Sequence, residues 1–254
     1  MTAKIISICN QKGGVGKTTT AVNLSAGLLH VGKGVLLIDM DPQANATINL
    51  LPQDSGPEFT IKDVFHGKKL AQAISPSVVN GLDIVPSALS FAAIESELIS
   101  KIGRELILKK ALDEKIKQKY DFIIIDTPPS LGMISINTLC AADEIIIPIH
   151  EFYALEGVTQ LMNVISQVRE DLNPGLKVSA VLLTMYDERT NLAKDIKEKI
   201  HEVFGDIVLK TTIPRNVKLA EAPSHKQTIF GYASDSSGAK AYMDLSNELM
   251  DRWR

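Results

Sequence analysis

The chain has 254 residues, of which 45% are hydrophobic and 22% are charged, a composition that supports a globular core and excludes an intrinsically disordered chain. Its formal net charge is −3, so it lacks the basic excess that is usual in DNA-binding domains. Its two cysteines have no metal-ligand spacing, which argues against a cysteine-held metal centre.

The first predicted elements are a buried strand, a glycine-rich turn and a helix. The strand is Ile5–Cys9, which is short, apolar and rich in β-branched residues. The helix begins at Thr18 and is expected to end near Gly32. The turn between them reads QKGGVGKTT, which follows the phosphate-loop pattern G-x-x-x-x-G-K-[ST] except that Gln11 holds the first place. This order of elements predicts a phosphate-binding loop.

The backbone of this loop is suited to hold an anion. Gly13, Gly14 and Gly16, with Val15 between them, allow successive N–H groups to turn inward and approach a phosphate closely. The N-terminus of the following helix adds a partial positive charge. A dinucleotide-binding loop is excluded because its third glycine is missing.

The side chains that open the helix have separate expected roles. Lys17 is placed to reach the β- and γ-phosphates of a nucleotide, and the Thr18 hydroxyl is placed to ligate Mg²⁺. Thr19, one residue further, is expected to contact the α-phosphate.

Aspartates follow two further predicted strands, at the point where each strand ends. Asp39 and Asp41 come after Val35–Ile38, and Asp126 comes after Phe122–Ile125. Because ligands of open α/β sheets bind beyond the carboxyl ends of the strands, we expect these aspartates beside the phosphate loop. Asp126 fits the Walker B role of holding Mg²⁺, and Asp41 fits a residue that orients the attacking water or contributes to the metal site. A strand-end aspartate is also a common turn former or helix cap, which remains the alternative for Asp39.

The rest of the chain continues to alternate between predicted strands and helices, after a polar loop from Asp41 to Pro57. The further strands are predicted at Leu82–Pro86, Ile145–Ile149, Val178–Thr184 and Ile207–Ile213. The further helices are predicted at Thr60–Phe65, Ala88–Lys119 with a break near Gly103, Met133–Ala141, Leu155–Leu172, Leu192–Phe204 and Ala239–Arg254. This alternation predicts an α/β fold with a doubly wound, mostly parallel β-sheet and helices on both faces. We expect residues 1–254 to form a single domain, since no linker-like break interrupts the pattern.

The motifs together resemble a known family. KGGVGKTT at the loop, DMDPQANAT after the second strand and DTPPS after the third are similar to those of the ParA/MinD group of deviant Walker A ATPases. Within that group the chain most resembles the chromosomal ParA (Soj) proteins, and the resemblance continues through Leu183–Tyr186, Arg189–Leu192 and Ile213–Ser224.

The resemblance implies an ATP- and Mg²⁺-dependent P-loop ATPase that forms a nucleotide-sandwich homodimer. In the family, the lysine that matches Lys12 reaches across the dimer to the partner's phosphates, and the glycine that matches Gly13 lies at the interface. The aspartate that matches Asp41 supports hydrolysis. The segment that matches Pro214-Arg215-Asn216 lies beside the adenine.

The expected partners also follow from the resemblance. Residues that match Arg189 and Lys218 belong to a surface that binds double-stranded DNA without sequence preference. A ParB/Spo0J-type centromere-binding protein is expected to stimulate slow hydrolysis, in a cytoplasmic, nucleoid-associated protein. Charge alone favours a mixed solvated surface here, because acidic residues surround both cations.

Lys12 has a physical interpretation that does not depend on the family. A second cation beside Lys17 faces like-charge repulsion unless more anion is supplied, and the triphosphate of a second chain would supply it. The alternative is a solvated surface lysine.

Two alternatives to partitioning remain: a MinD-like membrane-associated ATPase and an ATPase that positions other cargo. The last predicted helix carries an apolar stripe formed by Tyr242, Leu245, Leu249 and Trp253. Its polar face mixes acidic and basic residues, which disfavours an anionic membrane surface. We therefore expect this helix to pack on the sheet, with no stable membrane association.

Overall fold

The computed structural model describes residues 2–52, 56–150 and 154–253, apart from the side chains of 154–157. The strands are β1 Lys4–Ile8, β2 Val35–Asp39, β3 Ser75–Pro76, β4 Leu82–Val85, β5 Phe122–Asp126, β6 Glu144–Ile149, β7 Lys177–Tyr186 and β8 Val208–Pro214. The helices of the N-terminal half are α1 Lys17–His30, α2 Asn45–Leu50, α3 Ile61–Phe65, α4 Leu70–Ala73, α5 Ile94–Glu97, α6 Ile107–Ala111 and α7 Glu114–Lys119. Those of the C-terminal half are α8 Met133–Ala141, α9 Ala154–Asp171, α10 Asn191–Phe204, α11 Val217–Glu221, α12 Ile229–Tyr232 and α13 Ser237–Arg252.

The strands form one eight-stranded sheet in the order β3-β4-β2-β5-β1-β6-β7-β8. Every neighbouring pair is parallel except β3 and β4. A parallel sheet has its carboxyl ends at one edge, so β1, β2 and β5 deliver the residues that follow them to the same place. The predicted doubly wound, mostly parallel fold is confirmed.

Both faces of the sheet are covered by apolar side chains. On β1, Ile6 and Ile8 join a core with α1 and α13, whereas Ile5 joins the core on the opposite face with α3, α8 and α9. This alternation follows from the two-residue period of a strand, and it requires helices on both sides.

The C-terminal helix packs against the body of the protein. In α13, Tyr242, Leu245 and Leu249 are fully buried in the core with α1. The indole N–H of Trp253 donates to Glu144 at the start of β6, at 2.7 Å. The apolar stripe therefore serves packing, as expected. Within the described residues, no helix has both the length and the hydrophobicity needed to cross a membrane.

Two predictions of secondary structure are wrong. The segment 88–119 is not one helix with a single break, because it divides into 3₁₀ turns at Leu89–Ala93 and Arg104–Leu106 and three short α-helices, α5 to α7. Gly103 is left-handed at φ 71°, and the Asp113 carboxylate caps α7 by accepting from Ile116 N–H at 3.0 Å, so each starts a new turn. The segment after Asp41 is not a loop throughout, since it contains α2; residues 53–55 of that predicted loop lie outside the described part.

Candidate nucleotide site

The phosphate loop is built on two left-handed glycines. Gly14 has φ 73° and Gly16, the residue before α1, has φ 83°, a conformation that costs energy for any residue with a Cβ. Val15 between them is buried, and its carbonyl accepts a hydrogen bond from the Thr184 hydroxyl of β7 at 2.9 Å. The loop is thus anchored to the sheet at its centre while its glycines shape the anion cradle.

The two lysines of the loop are in contact through the backbone. The Lys17 ammonium donates to the Lys12 carbonyl at 3.0 Å, and its side chain is almost fully buried. Burial lowers the pKa of Lys17, whereas the carboxylates of Asp126 and Asp41 raise it. A buried ammonium at the first turn of a helix is suited to bind a multiply charged phosphate.

Asp126 is a buried carboxylate without a hydrogen-bond donor among the described residues. It ends β5 at the same level as Ile8 of β1 and Asp39 of β2. Burial raises the pKa of Asp126 well above its usual range, and the charge of Asp39 adds to this, while the nearby Thr18 hydroxyl and Lys17 act in the opposite direction. Neither carboxylate oxygen accepts a hydrogen bond there, and such an orphaned group in the interior calls for a cation.

Asp39 has a different environment. Its carboxylate accepts from the Thr47 N–H at 2.9 Å, the Thr47 hydroxyl at 2.7 Å and the Asp41 N–H at 3.0 Å. Burial raises its pKa, and these hydrogen bonds partly offset the rise. Asp39 therefore fixes α2 to the end of β2 and is a structural residue, which is the alternative that the sequence left open.

Asp41 lies in the loop between β2 and α2 with its side chain largely buried. Its carboxylate accepts from Gln43 N–H at 2.9 Å, and its carbonyl accepts from Ala44 N–H at 2.8 Å. Burial raises the pKa of Asp41, while the backbone bond from Gln43 and the charge of Lys17 lower it. The turn therefore holds this carboxylate close to the phosphate-loop lysine.

The residues present fit Mg²⁺. The orphaned Asp126 carboxylate and the nearby Thr18 hydroxyl supply oxygen ligands. Within the described ranges, no group of three or more His, Cys, Asp and Glu side chains could hold a metal alone. Mg²⁺ is usually held by one or two carboxylates together with phosphate oxygens, so a site of this kind would be completed by a nucleotide.

Comparison with known proteins decides the family. The sequence model described as "AAA domain" matches residues 3–178. The sporulation initiation inhibitor protein Soj of Bacillus subtilis is 49% identical over 248 residues, which cover 97% of this chain and 98% of that protein. The chain belongs to the ParA/MinD group of P-loop ATPases. The resemblance of the motifs is confirmed over almost the whole length.

Two solved structures share this ParA-type fold. Cobyrinic acid a,c-diamide synthase from Mycobacterium smegmatis, with bound ATP analog and magnesium, superposes with a TM-score of 0.86 at 33% identity, over 99% of this chain and 96% of that one. A putative plasmid partition protein from Borrelia burgdorferi B31, bound to AMPPNP, superposes with a TM-score of 0.81 at 27% identity, over 98% and 99%.

The family resemblance places the segment Pro214–Asn216 beside the adenine. In the structure this segment follows the carboxyl end of β8, on the same side of the sheet as the phosphate loop. Pro214 ends β8 and pairs with Tyr186 of β7. Asn216 begins α11, where its side chain accepts from Lys218 N–H at 2.8 Å and donates to the Ser237 hydroxyl at 2.8 Å. Arg215 between them is exposed. The two hydrogen bonds of the Asn216 side chain therefore hold this segment in place.

The two cations of the expected DNA surface are both exposed and both paired with carboxylates. Arg189 forms a two-point contact with Asp187, at 2.8 and 2.7 Å. The Arg189 guanidinium lowers the pKa of Asp187 to about 2. Lys218 donates to Glu221 at 2.9 Å, and the Tyr232 hydroxyl donates to the same carboxylate oxygen. Both cations would have to exchange a protein carboxylate for a phosphate to bind DNA.

One wall of the site is not predicted from the sequence. A cavity of about 400 Å³ adjoins the first turn of α1 and lies between α2 and the segment 219–227. Its polar lining is formed by Thr18, Thr19, Asn23, Asn45, Asn49, Ser224 and Gln227. The one sequence feature that indicates this wall is the group of Gln and Asn residues in DPQANATIN. The segment has no apolar periodicity, so the sequence predicts a loop there.

Proposed function

We propose that this chain is a Mg²⁺-dependent ATPase of the chromosome-partitioning type that works as an ATP-controlled switch. The observation that carries the proposal is the orphaned, buried Asp126 carboxylate at the sheet edge where Lys17 and the left-handed loop converge. A buried carboxylate without donors is costly, and Mg²⁺ bound to a nucleotide would neutralise it.

Each residue of the site then has a defined role. The loop N–H groups and Lys17 hold the β- and γ-phosphates, and Thr19 contacts the α-phosphate. Thr18 and Asp126 hold Mg²⁺, which neutralises charge on the phosphates when bound. Asp41 orients the attacking water and contributes to the metal site. The segment Pro214–Asn216 would lie beside the adenine, as the family resemblance implies.

Lys12 makes the switch depend on a second chain. Its backbone carbonyl accepts a hydrogen bond from the Lys17 ammonium, so the two lysines of the loop lie side by side. In our proposal it binds the triphosphate of the partner, and Gly13 keeps the interface close. The homodimer would therefore form only with ATP, and hydrolysis would release it.

The dimer would bind double-stranded DNA without sequence preference through Arg189 and Lys218. Binding to phosphates alone is weak for one subunit, with a Kd on the order of 10⁻⁴–10⁻⁶ M. A dimer carries two such surfaces, so dimerisation would strengthen DNA binding by avidity. A ParB/Spo0J-type partner would stimulate hydrolysis on the nucleoid. We infer from this cycle a cytoplasmic, nucleoid-associated protein.

Turnover of ATP, measured with and without Mg²⁺, tests the enzymatic part. Asp41→Ala is expected to abolish turnover and to retain an ATP-dependent dimer in size-exclusion chromatography. Asp113→Ala is the matched control, because it also removes a carboxylate that accepts one backbone N–H but does so at α7. Loss of both turnover and dimer in Asp41→Ala alone would show that Asp41 is structural.

Two further variants test the assembly. Lys12→Ala should stay monomeric with ATP, and a normal ATP-dependent dimer would contradict the trans role. Arg189→Ala with Lys218→Ala should lose ATP-dependent binding to random-sequence duplex DNA. Lys117→Ala removes a lysine with the same i,i+3 glutamate pairing, here to Glu114, and should bind as the parent does.

A further inference from the structure

Lys226 joins two distant segments at the wall of the nucleotide site. Its ammonium donates to the carbonyls of Ile48 at 2.9 Å and Leu51 at 2.8 Å, at the C-terminal end of α2. The last carbonyls of a helix have no partner within the helix, and a cation there also interacts favourably with the helix dipole. Lys226 thus caps α2 from a segment 175 or more residues away.

The backbone of Lys226 is strained. Its φ of 53° and ψ of 41° place it in the left-handed region, where Cβ clashes with the following carbonyl and glycine is the usual residue. The turn needs this conformation, because Lys226 ends the 3₁₀ helix Ala222–His225. A lysine at this position is explained by its side chain, whose two hydrogen bonds to α2 offset the strain.

The other end of α2 meets the catalytic loop. Ala44, which precedes α2, donates to the Asp41 carbonyl, and Thr47 in its first turn is fixed to Asp39. The helix has only six residues, so contacts from outside it set its position. Ala46 and Leu50 are buried in the core, and the Leu50 carbonyl accepts from Val78 N–H at 2.8 Å. Lys226 adds two hydrogen bonds at the C-terminal end, and Asp39 and Asp41 hold the N-terminal end.

We propose that Lys226 is a positioning residue for ATP hydrolysis, which holds α2 and through it the Asp41 loop at the nucleotide. This inference rests on the proposed ATPase function. Through Lys226 and α2, the segment 217–228, which carries Lys218, is connected to the loop that carries Asp41.

Three substitutions separate positioning from stability. Lys226→Met keeps the apolar stem and removes the cation, Lys226→Arg keeps a donor cation, and Lys226→Gly removes both the cation and the strain. We expect kcat to fall on the order of tenfold in the Met and Gly variants with little change in KM for ATP, because small misplacements of catalytic groups cost up to about a hundredfold. Arg should restore most of kcat. The Gly variant should unfold within about 2 °C of the parent, because the relieved strain offsets the lost bonds.

The matched control is Lys101→Met, because Lys101 also donates to a carbonyl at the end of a short helix, that of Phe65 in α3, at 3.2 Å. It should leave kcat unchanged. Hydrogen exchange of the amides of residues 45–51 gives a readout that needs no turnover, and it should accelerate in Lys226→Met.

The outcomes are distinct for the two proposals. A parent protein without ATP turnover would overturn the proposed function, whereas faster exchange in Lys226→Met would still support the role of Lys226 in holding α2. Unchanged kcat in folded Lys226→Met and Lys226→Gly would overturn the positioning role. A fall in kcat that follows the loss of thermal stability, without rescue by Arg, would overturn it as well.

Discussion

Asp39 and Asp126 stand opposite each other on the neighbouring strands β2 and β5, and both are completely buried. Their environments differ, because Asp39 accepts three hydrogen bonds and Asp126 accepts none from the described residues. Two carboxylates at one level of a sheet repel each other, and only the first accepts hydrogen bonds from the described residues. Asp126 is therefore the one available to a cation.

Asp126→Asn should stabilise the protein in the absence of Mg²⁺ and nucleotide while abolishing turnover. The amide replaces a buried carboxyl group that accepts no hydrogen bond from the described residues and is repelled by Asp39, so we expect the free energy of unfolding to rise by roughly 1–3 kcal/mol. Chemical denaturation measures this change. Asp39→Asn is the matched comparison and should be destabilising, because it weakens the bonds that hold α2. A destabilised Asp126→Asn would contradict our description of the site.

The contrast between these aspartates shows where sequence reasoning succeeds. Both follow apolar strands, and this pattern alone places them beside the loop. Their roles depend on Thr47, which lies in a helix that the sequence does not reveal. That helix has only six residues, and it is stabilised by the burial of Ala46 and Leu50 and by long-range hydrogen bonds with Asp39 and Lys226 that no local pattern encodes.

The prediction of a helix over residues 88–119 is wrong because the local pattern is helical but the packed structure is not. Its apolar residues recur at helical spacing, but Gly103 turns left-handed and Ile102 is fully exposed before it. The backbone changes direction there so that Leu98 and Leu108 can both reach the core. Tertiary packing overrides propensity in such a case.

Asp187→Asn should tighten ATP-dependent binding to duplex DNA. Asp187 is paired with Arg189 and would repel a phosphate at the same position, so its neutral amide removes a competitor. We expect an effect on the order of two- to fivefold, which is typical of exposed pairs. Fluorescence anisotropy at two salt concentrations measures it. Asp244→Asn, which removes another charge near Arg189, is the control for general charge reduction, and an equal effect in both variants would refute a specific role.

Glu144 should contribute stability that depends on pH. Burial opposes its charged form, but hydrogen bonds from Lys4 and Trp253 outweigh this and lower the pKa of Glu144 below its usual 4.5. Because the folded pKa is the lower one, the contribution is complete above pH 4.5 and is lost as the pH falls below it.

Glu144→Gln should therefore lower the free energy of unfolding by about 1–2 kcal/mol at pH 7 and by less at pH 4. Denaturation at the two pH values measures the difference. Glu114→Gln is the control, since the Glu114 side chain is 70% exposed. A constant difference between parent and Glu144→Gln across this range would rule out the charged interaction as its source.

Gly27→Ala should destabilise the protein although alanine is the better helix former. A Cβ at Gly27 of α1 would lie 2.2 Å from Ser246 Oγ of α13 and 3.3 Å from the Tyr242 carbonyl oxygen. Overpacking of this kind costs roughly 1–3 kcal/mol and exceeds the gain of about 1 kcal/mol in helix propensity.

A double-mutant cycle with Ser246→Gly checks the cause, because removing the Ser246 side chain should relieve most of the clash. Gly231→Ala is the matched control in another helix, where the new Cβ would lie no closer than 3.8 Å to its neighbours. Additive effects of Gly27→Ala and Ser246→Gly would rule out the clash with Ser246 as the cause of the destabilisation.

The contact of Gly27 with Ser246 also sets an order of events during synthesis. The phosphate loop and α1 leave the ribosome early, but the face of α1 that carries Gly27 and Leu24 is covered only when α13 has been made, more than two hundred residues later. Until then this apolar face is open to solvent and to chaperones. A chain that ends before α13 would leave this apolar face of α1 uncovered although its opposite face packs on the sheet, so we expect such a fragment to be bound by chaperones or degraded.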